Sequence, residues 1–181
     1  MYPSRICELL LVSFMTVVFS ADAQTIPNPS FEADHYFSGV GYASQNGGVI
    51  TGWTMSDPTH VGLNVGGTNN PGLLVDNGAI PNGTNVAFIQ GNSDSMSTML
   101  STVISGLTPG VQYQVTFRAN LRTQYAAPQA AISLNGGGFM PVVCAPAVGG
   151  ANPYHLNTVA FVATSNTAPL VLQNSVVAST N

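Results

Sequence analysis

The stretch "VQYQVTFRANLR", Val111 to Arg122, decides the fold class. Val111, Tyr113, Val115, Phe117, Ala119 and Leu121 alternate with Gln112, Gln114, Thr116, Arg118, Asn120 and Arg122. A period of two over this length is the mark of a β-strand with one buried face and one wet face. The strand follows "SGLTPG", in which Pro109-Gly110 makes a turn. Further strand-like runs lie on both sides: "VITGWTM", "HVGLNV", "GLLVD", "NVAFIQG", "QAAISLNG", "LNTVAFVAT" and "PLVLQNSVV". Turn clusters such as "QNGG", "GGTNNPG", "NGAIPNGTN" and "GGANP" separate them. Many short strands punctuated by Gly, Asn and Pro point to a β-sandwich or barrel. One segment carries two readings. "DSMSTMLSTVISGL" places Met96, Met99, Leu100, Val103, Ile104 and Leu107 at helical spacing. Its Ser, Thr and β-branched residues favour a strand, because they lose side-chain freedom in a helix.

The first 23 residues have the parts of a secretory signal: Arg5, an apolar run from Leu9 to Phe19, and Ala21-Asp22-Ala23 as a cleavage site. The apolar run is short for a bilayer span, which takes about 20 residues. The expectation is a signal peptide over 1–23, a single secreted domain over 24–181, and no membrane insertion after cleavage. Charge is sparse, at 6% of the chain against roughly 25% in typical domains. Beyond the leader the acids are Glu32, Asp34, Asp57, Asp76 and Asp94, the bases are Arg118 and Arg122, and there is no lysine. No basic groove can form, so nucleic acid is a poor partner. Cys144 stands alone among apolar neighbours and reads as a small buried hydrophobe.

Catalytic patterns are weak. There is no G-x-S-x-G, and His35, His60 and His155 are scattered with no acid at a telling spacing. His60 follows "DPT" and reads as a turn residue. Zinc would need clustered His and Cys, which are missing. Trp53 in "ITGWT" reads as packing. Asn82-Gly83-Thr84 is a glycosylation sequon by letter, in an obvious turn. A His–Asp contact within about 3 Å in a cleft is the observation that would favour an enzyme. The polar strip Arg118, Asn120, Arg122 holds both cations on one strand face, at about 7 Å per alternate residue.

In order along the chain come "IPNPSFE", "ITGWT", "VAFIQG", "SGLTPGVQYQVTFRAN" and "FVATSNTAPLVLQNS". This series resembles the galactose-binding-like jelly rolls, secreted domains of the carbohydrate-binding-module type. The resemblance implies an all-β, two-sheet antiparallel jelly-roll sandwich without catalytic machinery. It implies that Glu32 helps hold a structural calcium, an ion that takes six to eight oxygen ligands. Phe31 then points into the core and Glu32, its neighbour on a strand, the other way. Such domains close with "x-x-D-D-V-x-L", and "QNSVVASTN" carries no acid, which implies a sandwich lacking its last strand and exposing an edge. The expectation is therefore a secreted, non-catalytic module binding carbohydrate or another extracellular ligand through Arg118, Asn120, Arg122, Tyr125 and Tyr154. The alternative is a structural surface or matrix domain that assembles through sheet edges.

Overall fold

The alternating stretch folds as expected, into the longest strand among the described residues, Gln112–Leu121. A computed structural model describes residues 23–37, 41–65, 80–91, 97–121, 129–146 and 154–175. The strands in chain order are β1 (Thr54–Met55), β2 (Val61–Val65), β3 (Asn85–Ile89), β4 (Thr98–Ser105), β5 (Gln112–Leu121), β6 (Gln129–Leu134), β7 (Met140–Pro141), β8 (Ala145–Pro146), β9 (His155–Val162) and β10 (Thr167–Ser175). A single 3-10 turn, Ala43–Gln45, is the one helical element among the described residues. The chain is all-β, and its long pairings are antiparallel. The expected strand over "GLLVD" and all of the expected signal peptide but Ala23 fall outside the described residues.

Five strands form one sheet in the order β1-β4-β10-β6-β7, three form a second in the order β8-β5-β9, and β2-β3 make a two-stranded ribbon. The segment with the helical spacing is β4. Its burial alternates, with Thr98, Leu100, Thr102 and Ile104 inward and Val103 outward. Eight register pairs with β10 hold it. Ladder hydrogen bonds and an inward-facing apolar row outweigh a spacing that also fits 3.6 residues per turn.

The two larger sheets face each other across one core. Ile104, Ile132, Leu134, Ala168 and Leu170 from the first meet Val115, with Tyr113, Phe117, Val159 and Phe161, from the second. A second core lies under the ribbon, where Val61 and Leu63 pack with Tyr36, Ala43, Ile50 and Leu100. Trp53 packs against both. The inward faces of β2 and β3 thus carry Val61, Leu63, Ala87 and Ile89. By strand alternation, the outward face carries His60, Gly62, Phe88 and Gln90. Asn174 on β10 donates through Nδ2 to the Ile89 carbonyl at 2.9 Å, which stitches the ribbon to the main sheet.

Candidate functional site

The residues "NPSFE" form a turn, where a strand was expected. Asn28 and Phe31 adopt positive φ values of 44° and 64°, and the Phe31 amide donates to the Asn28 carbonyl. Asn28 can hold this left-handed conformation because its short amide bonds locally. Its Oδ1 accepts from the Ala33 amide, and its Nδ2 donates to Asp34 Oδ2 and the Thr51 carbonyl. Phe31 leaves the turn to meet Trp53, with ring centroids 5.2 Å apart.

Glu32 leaves it to clasp the start of β3. Its Oε1 accepts from the Thr84 and Asn85 amides at 2.8 and 2.7 Å, and its Oε2 from the Thr84 hydroxyl at 2.8 Å. Gly83, at φ 71°, comes so close that a Cβ there would overlap the carboxylate. The Asn85 amide does most to hold the Glu32 carboxyl below its ordinary value of 4.5, against a smaller upward push from burial. A depressed pKa stabilises the fold above the unfolded value and loses that contribution as pH falls through the folded value. Glu32→Gln is therefore expected to be less stable than the native chain at pH 6, with the difference closing below about pH 4.5. Melting curves of both proteins across that range check it.

A second carboxylate sits at the foot of the ribbon. Asp57 Oδ1 accepts from the Thr59 amide at 2.8 Å and the Thr59 hydroxyl at 2.6 Å. Asp57 Oδ2 lies 2.6 Å from His60 Nδ1, and the Asp57 carbonyl accepts from the His60 and Val61 amides. The Thr59 hydroxyl is the first cause that holds the Asp57 carboxyl below the usual range, so it stays ionised at neutral pH. His60 lies in a turn, as its letters imply, but the expectation that no acid stands at a telling spacing from it is corrected here. Asp-Pro-Thr-His turns back on itself and lays residue 60 over the carboxylate three residues earlier. The signal in the sequence was the Asp-x-Thr pair, since Asp side chains commonly bond the backbone two residues on.

The hydrogen bonds assign the histidine tautomer. Ionised Asp57 only accepts, and the Thr59 hydroxyl spends its proton on Asp57, so Nδ1 carries a proton. In the neutral form of the ring Nε2 holds the lone pair, with no partner among the described residues. The His60 side chain is 30% exposed, so Nε2 is within reach of a small molecule.

Across the ribbon stands Gln90. Val61 pairs with Ile89, and the Gln90 amide donates to the His60 carbonyl at 2.8 Å. Residues 60 and 90 are therefore directly opposite on the outward face. Gln90 Oε1 accepts from the Tyr42 hydroxyl at 2.8 Å. Tyr42 bridges to Gly62 and meets Phe88 edge to face at 5.4 Å. Gly62 is obligatory there, since a Cβ would overlap the Gly41 carbonyl and the Phe88 ring. The result is a proton acceptor, an amide and two aromatic rings on one half-buried face.

The residues expected to bind sugar are placed differently. Arg118 is exposed and donates to the Tyr154 carbonyl at 3.3 Å. Asn120 is half-buried, and the Tyr154 ring is buried, so it offers no stacking surface. Arg122 and Tyr125 fall outside the described residues. Cys144 is half-buried, and burial pushes its thiol pKa up, in keeping with an inert small side chain.

Comparison with known families bears on the function. The family model described as HpiC1-like, HpiC1 cyclase, matches residues 22–168. The chain belongs to the HpiC1-like cyclase family. This match corrects the expectation of a non-catalytic, carbohydrate-binding module, and with it the sheet-edge alternative, because the family is named for an enzyme. No curated protein and no solved structure matches the chain.

Proposed function

We propose that this HpiC1-like chain is a ring-closing enzyme and that His60 is the group that moves its proton. The contact that carries the reading is His60 Nδ1 to Asp57 Oδ2 at 2.6 Å. Ring closure by addition across an unsaturated bond takes a proton from one atom of the substrate and returns one to another. His60 Nε2 takes the proton, and ionised Asp57 stabilises the imidazolium that forms. Tyr42 and Phe88 beside it offer ring faces and edges to an apolar skeleton, and a ring face stabilises positive charge that develops on it. The reaction conserves mass. The test is incubation with small-molecule extracts, followed by a search for products of unchanged mass and altered retention. Native protein converts a component. A His60→Gln protein that converts it equally well overturns the assignment.

Calcium at Glu32 belongs to the proposal as a structural ion. A carboxylate has about four lone-pair sites. Three donors engage Glu32, which leaves room on Oε2. Asn85 Oδ1, buried beside it, has no hydrogen-bond partner. An oxygen with a spare lone pair and an orphaned amide oxygen suit a hard cation, which Glu32 and Asn85 would hold. Among the described residues no group of three or more His, Cys, Asp and Glu converges, so carbonyls and water would complete the shell. Bound there, the ion would neutralise charge and tie the N-terminal turn to β3. Melting with calcium and with a chelator, alongside Glu32→Gln as the control, tests it. A melting temperature that the ion leaves unchanged counts against the site.

A further inference from the structure

His60 and Gln90 share a design that the proton-moving role alone does not need. Each is anchored through one polar atom and leaves the other polar atom without a partner among the described residues. Asp57 and Thr59 hold His60 Nδ1, which leaves Nε2 as an acceptor. The Tyr42 hydroxyl holds Gln90 Oε1, which leaves the Gln90 NH2 as a donor. The two side chains are directly opposite on antiparallel strands, where Cβ atoms are about 4.5–5.5 Å apart. A free acceptor and a free donor thus belong to two residues that face each other across one ladder. Holding both from behind spares the cost of ordering them when a ligand arrives.

We infer that this pair recognises a cis-amide face, a carbonyl and an N–H pointing the same way, as in a lactam. The ligand carbonyl accepts from the Gln90 NH2, and the ligand N–H donates to His60 Nε2. An ester, ether or tertiary amide fills one half of the pair and leaves the other buried without a partner, which is costly. The Tyr42–Phe88 pair borders the same face and suits the apolar body of such a ligand. This inference rests on the site proposed above and names the chemistry that the site selects. Tyr42 acts through Gln90 as a positioning residue.

The probe is 2-pyrrolidinone, a small lactam, with N-methyl-2-pyrrolidinone as the analogue that lacks the N–H. Both are titrated into 15N-labelled full-length protein, with the Gln90 side-chain NH2 and the His60 ring nitrogens followed by NMR. The lactam is expected to move both signals together, with a dissociation constant on the order of millimolar, as suits so small a ligand. The N-methyl analogue is expected to bind roughly tenfold or more weakly, because it leaves Nε2 unpaired. Gln90→Met, which keeps the side-chain length and removes the donor, is expected to abolish the His60 response while the backbone spectrum stays folded. Tyr42→Phe is expected to weaken binding while leaving the His60–Asp57 contact in place. Equal response to the two probes, no response to either, or an unchanged response in Gln90→Met overturns the inference. Each outcome is read without turnover, so failure here is separable from failure of the ring-closing role.

Discussion

His60→Gln is expected to lower ring-closing turnover by about 10²–10⁴-fold, the usual range for loss of a positioned acid–base group. The fall is expected in kcat and kcat/KM together, since proton transfer occurs in the transition state and adds little to ground-state binding. Asp57→Asn is expected to lower turnover on the order of 10²-fold or more. Asn leaves Nδ1 without its anionic partner and removes the charge that stabilises the imidazolium. Neither change is expected to unfold the chain. The pair is about one-third exposed, at 30% and 27% for the two side chains, and ion pairs at such sites contribute about 0–1 kcal/mol. Circular dichroism and melting of both variants separate lost chemistry from lost structure. Steady-state rates on the component identified in the extract then measure the effect.

Trp53→Ala is expected to cost about 3 kcal/mol of stability, the lower end of the range for truncating a large aromatic, because the indole is only half-buried. Trp53 is the residue that both apolar cores share. It packs on Phe31 at 5.2 Å, and its Nε1 donates to the Asn28 carbonyl at 3.2 Å. Truncation opens a void at the junction and frees the N-terminal turn at once. Trp53→Phe retains most of the packing and is expected to lose about 1 kcal/mol for the hydrogen bond. Chemical denaturation midpoints at constant slope give both values.

The fold was legible where a single physical signal dominated. The alternation from Val111 to Leu121 could not be accommodated by a helix, and β5 follows it from Gln112 onward, while Val111 stands just outside the strand and is exposed. In β4 two periods competed in one stretch, and long-range pairing with β10 settled it in favour of the strand that Ser, Thr and Val favour. "NPSFE" was misread as a strand because the left-handed conformations of Asn28 and Phe31 leave no mark in a pattern of apolar and polar letters. The Asp57–His60 contact spans only three residues, but a turn alone accounts for the same letters, so the sequence does not single it out. Gln90 was out of reach. Its neighbour His60 lies 30 positions earlier, and only the β2–β3 register brings them level. The strip on β5 looked like a site for the opposite reason. Polar residues on a wet strand face are what water alone requires.

Asp57, Thr59, His60, Gly62, Phe88 and Gln90 all belong to the β2–β3 ribbon or to the turn that opens it, and Tyr42 is bonded across that ribbon. Their spacing to one another is therefore set by one two-stranded ladder and the turn at its foot, and the fully buried Val61 and Leu63 beneath it seat that ladder on the core.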